Sequence, residues 1–343
     1  MEEHKRRAHY KGKYPRSFNE KYKEFNPDKY QDTIERIIQK GNTPAGTHIP
    51  IMVNEILDIL KIKEGEIGLD ATFGYGGHSL KMLEKLNHTG HLYCLDIDSI
   101  EIEKTKERIT SLGYTDQDFS AHNINFRNLD QVVENKKCDF LLADLGVSSM
   151  QVDDPARGFS FKQDGPLDLR LNQLIGVPAS DVLMGLKKYE IENILVENSD
   201  EPFAEQIAAK ICQYKSYGLI DTTTKLYNII KDALNFLPAK EREVNAKKSA
   251  QRVFQALRIE VNSEFEALTE FLTKLPTVMN SDGRVAILTF HSGEDRLVKK
   301  MFKEYYLNGT FKEISDEVIR PSREECYNNP RATSTKLRWA IKK

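Results

Sequence analysis

The sequence has few cysteines and no long apolar run, and these absences exclude several classes of protein. Its four cysteines lie far apart and none belongs to a C-x-x-C pair, which argues against a disulfide framework and against a zinc site. The amino terminus is charged and lacks the apolar segment of a signal peptide. No stretch approaches the length of a membrane-spanning helix. We therefore expect a soluble cytoplasmic protein that binds no metal and no membrane.

A large net charge is also missing. The 343 residues carry a formal net charge of −2, which excludes a strong overall attraction to nucleic acid. Two segments are nevertheless basic: residues 1–30 hold nine Lys or Arg against five Asp or Glu, and residues 331–343 hold five Lys or Arg and no acid. Such segments either bind an RNA backbone or are solvated tails, and charge alone leaves both interpretations open.

The most informative motif is a glycine cluster between a strand pattern and a helix pattern. The apolar run Ile67–Phe73 stops at Gly74, Gly76 and Gly77. Glycines at such a turn let backbone N–H groups approach a ligand at the start of the helix. A second apolar run ends in Asp96, where a carboxylate typically holds the ribose hydroxyls of a nucleoside cofactor. The G-x-G-G spacing is not the dinucleotide fingerprint, so a cofactor without a pyrophosphate, such as S-adenosylmethionine, fits better.

Strand and helix patterns alternate through the first half of the chain and predict a parallel sheet. Four runs have strand patterns: Ile67–Phe73, His91–Asp96, Phe119–His122 and Cys138–Asp144. After Ser149 the pattern becomes helical, with one long helix predicted from Ser249 through Leu275. The stretch Asn280–Gly283 then predicts a turn before another strand, Arg284–Phe290, and a final strand lies near the carboxyl terminus.

This interruption of the alternation predicts three parts. Residues 1–46 form a basic N-terminal extension, which contains one short amphipathic helix candidate. Residues 47–151 and 261–343 form one α/β domain, and residues 152–260 form an all-helical insert. In a sheet of this kind ligands bind beyond the carboxyl ends of the strands.

Polar residues stand at those predicted strand ends. Asp144 ends the fourth strand, with Ser148 just beyond it, and His291 follows the strand Arg284–Phe290. Each residue also has a structural interpretation, because Asp caps helices and turns and a lone His is usually structural. We favour function for Asp144 and His291 because their strand ends are expected to meet at one edge. His78, after the glycines, either contacts the cofactor or starts the helix.

A loop rich in Asp, Gly and Pro follows the fourth strand and is suited to cover an acceptor. It contains Arg157, Phe159, Phe161 and Asp168, which we take as candidates for substrate binding. The two phenylalanines either stack on a base or anchor the loop on the protein, and the sequence favours neither.

Taken together, these motifs resemble the bacterial 16S rRNA cytosine-N4 methyltransferases, the MraW family. The resemblance covers about residues 47–343. Five motifs carry it in order: DLGVSS (144–149), RGFSF (157–161), DGPLDLRL (164–171), FQALRIEVN (254–262) and FHS-x-EDR (290–296). The resemblance implies a class I S-adenosylmethionine methyltransferase fold, which is a Rossmann-like doubly wound α/β sheet, with a helical insert that recognises substrate.

The resemblance also implies an activity and a set of binding residues. Members use S-adenosylmethionine to methylate a cytosine in the decoding region of 16S rRNA, within the small ribosomal subunit. Seven positions match the family's cofactor-binding residues: Gly76, Gly77, His78, Asp96, Phe126, Asp144 and Gln151. We add Gly74 to this set and hypothesise that Asp144, Ser148 and His291 surround the cytosine amine.

Three departures from the family pattern indicate a diverged branch. The extension 1–46 precedes the usual start, Gly293 and Met150 replace a usual leucine and proline, and Thr333 replaces a usual arginine. Two alternatives therefore stay open: a non-catalytic S-adenosylmethionine-binding ribosome-assembly factor, and methylation of a different RNA cytosine. The glycine spacing argues against a nicotinamide-dependent dehydrogenase, and the missing D/S/N-P-P-Y tetrapeptide argues against a DNA amino-methyltransferase. The oligomeric state, monomer or homodimer, is open.

Overall fold

The computed structural model describes residues 50–133 and 136–343. The predicted extension 1–46, with its helix candidate, lies outside the described residues. The strands are β1 Ile67–Asp70, β2 His91–Asp96, β3 Phe119–Asn123, β4 Cys138–Asp144, β5 Met279–Thr289, β6 Phe311–Ile314 and β7 Lys336–Lys342. The first helices are α1 Val53–Leu60, α2 Gly77–Leu86, α3 Ser99–Ser111, α4 Leu129–Val133 and α5 Ser149–Asp153. The later helices are α6 Ala179–Gly185, α7 Lys188–Ser199, α8 Ala204–Lys215, α9 Thr223–Ala233, α10 Ala239–Asn262, α11 Glu264–Val278, α12 Ser292–Leu307 and α13 Arg323–Asn328.

The strands form one seven-stranded sheet in the order β3-β2-β1-β4-β5-β7-β6. Neighbouring strands from β3 to β5 run parallel, whereas β7 runs antiparallel to both β5 and β6. The predicted α/β class and the predicted strands are confirmed. The sequence analysis missed β6, because a four-residue edge strand carries little periodicity.

Helices cover both faces of the sheet, as expected for a doubly wound fold. On one face Leu141 and Val285 pack with apolar residues of α4, α11 and α12. On the other face Phe140 and Ala286 pack with residues of α1, α2 and α3. Successive strand residues alternate between the two clusters, so the strands are apolar on both sides. No helix in the described part of the chain is both long and apolar enough to cross a membrane.

Helices α6 to α10 share a hydrophobic cluster of their own. Leu183, Ile191, Ile207, Ile230 and Leu257 are buried in it. This packing agrees with an insert between β4 and β5, although the exact boundaries 47–151, 152–260 and 261–343 stay a prediction.

The single long helix predicted after Ser249 is wrong. The helix breaks at Ser263, whose backbone is left-handed with φ 48°, and continues as α11. Before the break Phe254 packs in the insert cluster, and after it Leu272 packs in the sheet cluster. The apolar spacing continues through the break because α10 and α11 each bury an apolar face. The face of α10 packs in the insert cluster, whereas the face of α11 packs in the sheet cluster.

The turn predicted at Asn280–Gly283 is also wrong. These residues lie within β5, where the register against β4 is irregular. Cys138 pairs with Met279 whereas Phe140 pairs with Arg284, so β5 has extra residues at this point. The polar, glycine-containing stretch therefore forms an irregularity within the strand, where Asp282 has a left-handed backbone with φ 63°, and such irregularities share their residue preferences with turns.

Gly68 offers a test of the packing between β1 and β4. A Cβ at Gly68 would lie 2.1 Å from Cζ of the fully buried Phe140, its partner in the parallel ladder. We expect Gly68→Ala to lower the free energy of unfolding by about 3 kcal/mol, because the ring has no space into which to move. Gly185→Ala is the matched control, since a Cβ there has no atom within 4 Å. Equal urea midpoints for the two variants would contradict this packing.

Candidate active site

The glycine turn between β1 and α2 has two structural reasons for its glycines. Gly74 and Gly76 have left-handed backbones, with φ 46° and 64°. A Cβ at Gly76 would lie 2.8 Å from Thr105 Cγ2, and one at Gly77 would lie 2.6 Å from Pro50 Cγ. Beside Gly74 the nearest such atom is 3.8 Å away. Gly76 and Gly77 are therefore needed for internal packing as well as for any ligand, whereas a Cβ at Gly74 would cause no clash within the chain.

Asp96, at the end of β2, is connected to the glycine turn. Its Oδ2 accepts a hydrogen bond from the Gly74 backbone N–H at 2.6 Å, and its Oδ1 accepts one from the Asp98 N–H at 2.8 Å. Burial raises the pKa of Asp96 to about 6, although both hydrogen bonds oppose the shift. Each carboxylate oxygen has a second lone pair, so Asp96 can accept hydrogen bonds from two hydroxyl groups of a ligand.

Asp144, at the end of β4, lies beside His78. The Asp144 backbone N–H donates to Thr72 Oγ1 at 2.7 Å, which connects the ends of β4 and β1. Asp144 Oδ2 is 3.5 Å from His78 Nε2. Buried polar atoms usually have partners, yet Asp144 Oδ1 and His78 Nε2 have no hydrogen-bond partner among the residues that the structure describes. These two atoms are available to a polar ligand.

Asp70, at the end of β1, is a carboxylate that the sequence analysis did not single out. It is almost completely buried, and the Ser79 hydroxyl and the Thr72 backbone N–H donate to it. Burial raises its pKa, and the two hydrogen bonds oppose the shift. Because both oxygens of Asp70 accept hydrogen bonds from the chain itself, Asp70 stabilises the glycine turn and is not offered to a ligand.

Ser148 and Gln151 form a capping box at the start of α5. Ser148 Oγ accepts from the Gln151 N–H at 3.1 Å, and Gln151 Oε1 accepts from the Ser148 N–H at 2.9 Å. The Ser148 hydroxyl also lies 3.5 Å from the Tyr75 hydroxyl. The Gln151 amide donates to Asp98 Oδ2 at 3.0 Å, so the structure joins Gln151 to the β2 end through Asp98.

His291 follows β5 and caps α12 together with Glu294. In the ladder Leu288 pairs with Asp144, so His291 lies three residues beyond the partner of Asp144. His291 Nδ1 accepts from the Glu294 N–H at 3.4 Å, and its Nε2 is 3.2 Å from Glu294 Oε1. Burial opposes ionisation of Glu294, but hydrogen bonds from His291 and from the Phe290 backbone N–H hold the Glu294 pKa below its usual value.

One group of residues at this end of β5 has metal-ligand chemistry. Ligand atoms of Glu264, His291 and Glu294 lie within 4.8 Å of one another. The Arg258 guanidinium, however, binds both oxygens of Glu264, at 2.7 and 2.9 Å. A cation already occupies that carboxylate, so we assign no metal to this group. The absence of a metal site stays a prediction.

The charged residues of the predicted acceptor loop have partners within the chain. Arg157 and Asp98 form a buried ion pair with an N–O distance of 2.7 Å. Asp168 binds Arg170 with both oxygens, each at 2.8 Å, and this pairing holds its pKa below the usual range although burial opposes it. Neither Arg157 nor Asp168 presents an unoccupied charged group to a substrate.

The aromatic residues of the loop pack on the helical insert. Phe161 is stacked on Tyr227, with ring centroids 4.7 Å apart and planes 11° apart, and it also contacts Phe254. Phe159 is buried in the same cluster. Of the two interpretations that the sequence left open, the structure supports loop anchoring.

Phe126 begins a short 3-10 turn just after β3. Its ring meets Phe271 edge-on at 5.3 Å, and it is only partly buried against the sheet cluster. The ring therefore has both a core contact and exposed surface. A role beside the adenine of a cofactor stays a prediction.

Asp98 is a second site residue, besides Asp70, that was not predicted from the sequence. It caps the start of α3 by accepting from the Ile100 and Glu101 N–H groups, and it also binds Gln151 and Arg157. The signal was present: Asp98 stands two residues after Asp96 and directly before a helix pattern, which is typical of a helix cap.

Comparison with known proteins gives a family for the whole arrangement. The sequence matches the family model of the MraW methylase family over residues 45–343. It is 58% identical to ribosomal RNA small subunit methyltransferase H 1 of Lachnoclostridium phytofermentans, over 99% of this chain and 93% of that protein. It is 55% identical to ribosomal RNA small subunit methyltransferase H 2 of Alkaliphilus metalliredigens, over 99% of this chain and 98% of that protein.

A more distant relative matches less of the chain. Ribosomal RNA small subunit methyltransferase H of Clostridium botulinum strain 657 is 39% identical, over 85% of this chain and 97% of that protein. The additional length of this chain is therefore shared with the first two relatives, as expected for a separate branch. A match over residues 45–343, with more than half of the residues identical to full-length relatives, leaves one assignment: the chain belongs to the MraW methylase family.

Proposed function

We propose that this protein transfers a methyl group from S-adenosylmethionine to the exocyclic N4 amine of a cytosine in the 16S RNA of the small ribosomal subunit. Family membership and the names of the relatives support methylation of small-subunit ribosomal RNA. The observation that carries the proposal is the pair of acidic strand ends, Asp96 and Asp144, on either side of the glycine turn. This pair provides one carboxylate for a ribose and one for a reacting amine.

The residues around the turn fit S-adenosylmethionine. Asp96 has lone pairs for the ribose hydroxyls, a Cβ at Gly74 would meet no atom closer than 3.8 Å, and His78 Nε2, 3.5 Å from Asp144 Oδ2, is a buried polar atom without a hydrogen-bond partner in the described chain. We propose that these residues hold the cofactor together with Phe126 and the backbone at Gly76 and Gly77. Gln151 then acts indirectly, through Asp98. When bound, S-adenosylmethionine supplies a methyl group on a positively charged sulfur.

The chain must make a weak nucleophile react. The N4 lone pair of cytosine is delocalised into the ring, so the enzyme gains most by orienting the amine and by accepting hydrogen bonds from its N–H groups. Asp144 Oδ1 is a buried acceptor without a partner in the described chain, and we propose that it binds an amine N–H and takes up the proton that leaves. Ser148, fixed by its capping box, lies on the same segment beyond β4 and supplies a further polar group.

His291 is suited to orient rather than to accept a proton. Its Nδ1 accepts the Glu294 backbone N–H, so a neutral imidazole carries its proton on Nε2. Such a ring has its Nε2 proton beside Glu294 Oε1, with an N–O distance of 3.2 Å, and no lone pair is left at either nitrogen. We therefore propose that His291 orients the acceptor and does not take up the proton.

Cofactor binding is expected to depend on pH through Asp96. The pKa of Asp96 in the free protein is raised to about 6 by burial, and only the ionised carboxylate can accept from both ribose hydroxyls. Binding therefore favours the ionised form, and affinity falls as the pH drops through 6. We expect affinity for S-adenosylhomocysteine to be about tenfold lower at pH 5 than at pH 7.5.

Calorimetric titrations across this pH range measure the effect, and Asp96→Asn provides the control. Its amide does not titrate, so the variant should bind weakly with no step near pH 6. A wild-type affinity that stays constant between pH 5 and 7.5 would contradict the role of Asp96.

The substrate is proposed to be RNA in the small subunit, met in the cytoplasm. The target base must leave its stack to reach the strand ends. The basic segments 1–30 and 331–343 are proposed to bind RNA backbone through salt-sensitive contacts. Because the loop aromatics are packed in the insert, we propose that the loop shapes the acceptor pocket and does not stack on a base.

One experiment distinguishes the proposed function from its alternatives. Purified protein is incubated with S-adenosylmethionine and with small subunits taken from cells that lack this protein. The rRNA nucleosides are then mapped by mass spectrometry. The proposal predicts N4-methylcytidine at one position of 16S rRNA. Binding of the cofactor without turnover would instead support a non-catalytic assembly factor, and product in another RNA would support a different cytosine.

A further inference from the structure

We propose that the buried Asp98–Arg157 ion pair couples the cofactor pocket to the acceptor loop, so that cofactor and RNA bind more tightly together than separately. This inference rests on the proposed function and deepens it. The acceptor loop is residues 157–171, which follow the short helix α5.

Asp98 contacts both sides of the site. Its backbone N–H donates to Asp96 Oδ1, the carboxylate proposed to bind the ribose. Its Oδ1 caps α3, whose Thr105 donates to the Gly74 carbonyl at 2.7 Å. Its Oδ2 binds the Arg157 guanidinium at 2.7 Å and the Gln151 amide at 3.0 Å. One carboxylate therefore joins the cofactor-side strand end to two elements on the acceptor side.

Arg157 carries the connection into the acceptor loop. Its backbone carbonyl accepts from the Leu169 N–H at 3.1 Å, and its guanidinium lies 3.4 Å from the Leu171 carbonyl. Asn262, at the end of α10, then fixes the same two residues. It accepts from the Leu171 N–H and donates to the Leu169 carbonyl, both at 2.8 Å. The contacts run without a gap from Asp96 to the helical insert.

Both charged side chains of this connection are buried. Arg157 is 6% exposed and Asp98 is 3% exposed, so the pair is shielded from water while the loop is closed. A loop that moves away takes from Asp98 its ionic partner and leaves Arg157 only the more distant Asp154, at an N–O distance of 3.8 Å. The arrangement of Asp98 that supports Asp96 is therefore favoured when the loop is closed. In the same way, an Asp98 fixed in that arrangement favours the closed loop.

Reciprocity follows from linkage. If the cofactor stabilises the Asp96–Asp98 arrangement and RNA stabilises the closed loop, each ligand raises the affinity for the other by the same factor. We expect a factor of about 10, within the usual range for such coupling. Arg157 then acts as a positioning residue, since its guanidinium is bound to Asp98 and is not offered to RNA phosphates.

The test measures S-adenosylhomocysteine affinity by calorimetry with and without saturating small subunits. The double variant D98N/R157Q leaves no buried charge unpaired and keeps an oxygen to cap α3. We expect it to bind each ligand alone but to lose the tenfold enhancement. The control is Arg284→Gln, which breaks the Arg284–Glu66 pair (2.7 Å) at the start of β1, away from the strand ends that form the site. This control should lose stability and keep the enhancement.

The outcomes separate the inference from the proposed function. The inference is overturned if the double variant keeps the full enhancement, or if the wild-type protein methylates small subunits yet binds S-adenosylhomocysteine equally well with and without them. If D98N/R157Q does not fold, R157Q alone is measured instead, and retention of the full enhancement by this folded variant, which lacks the ion pair, also overturns the inference. A wild-type protein that binds neither ligand overturns the proposed function and the inference with it.

Discussion

Asp144→Asn is expected to lower the single-turnover rate of methyl transfer by about 10³-fold, the largest effect of any single substitution that we propose. The carboxylate is proposed to accept the amine proton, and general bases contribute about 10²–10⁴-fold to such rates. Asparagine has nearly the same shape but cannot take up the proton. Rapid-quench measurements with saturating S-adenosylmethionine and small subunits determine the rate.

The control for this substitution is Asp116→Asn, which makes the same chemical change at a side chain that is 89% exposed. It should leave the rate unchanged. If Asp144→Asn transferred methyl groups as fast as Asp116→Asn, Asp144 would have no part in the chemistry. Thermal unfolding of both variants shows whether Asp144→Asn is folded when its rate is measured.

His291→Asn is expected to lower the same rate by about 10²-fold, because a displacement of the acceptor by about 1 Å has effects of this size. Asparagine is a good helix cap, so α12 should keep its start while the imidazole is lost. The affinity for S-adenosylhomocysteine should remain unchanged, since His291 is proposed to act on the acceptor side.

His88→Asn is the matched control, at a half-exposed histidine paired with Asp118. Loss of cofactor affinity in His291→Asn, with a normal rate once the cofactor is saturating, would contradict the proposed position of His291. A full single-turnover rate in both His291→Ala and Ser148→Ala would contradict the acceptor site as a whole.

Much of the architecture could be predicted because the spacing of apolar residues along the sequence indicates which faces of a strand or helix are buried. Strands β1, β2 and β4 are largely apolar, so their runs stand out, and each ends in an aspartate at the site, namely Asp70, Asp96 and Asp144. The positions of Asp96 and Asp144 at one edge followed from the parallel order alone. A short edge strand such as β6 has no comparable signal.

The helix break at Ser263 shows why periodicity fails at a domain junction. The apolar spacing before and after Ser263 fits one helix, and no glycine or proline marks the break. The ion pair between Arg258 and Glu264 and the different cores on each side fix the break in three dimensions. None of these contacts is visible as a local pattern.

The roles within the site were harder to predict than their positions. Arg157 was a candidate for substrate binding, but its guanidinium pairs with Asp98, which is distant in sequence. For Phe161 the sequence left stacking on a base and anchoring of the loop open, and its ring stacks on Tyr227 of α9. Charge and aromaticity indicate what a side chain can bind, whereas tertiary contacts decide whether that capacity is already used.

Calorimetry on the purified protein with S-adenosylhomocysteine, the demethylated form of the cofactor, tests the proposed pocket most directly. We expect saturable binding at one site per chain, lost or strongly weakened in Asp96→Ala and retained in Asp116→Asn. If the wild-type protein bound neither this compound nor S-adenosylmethionine, the glycine turn and the acidic strand ends would not form a methyl-donor pocket.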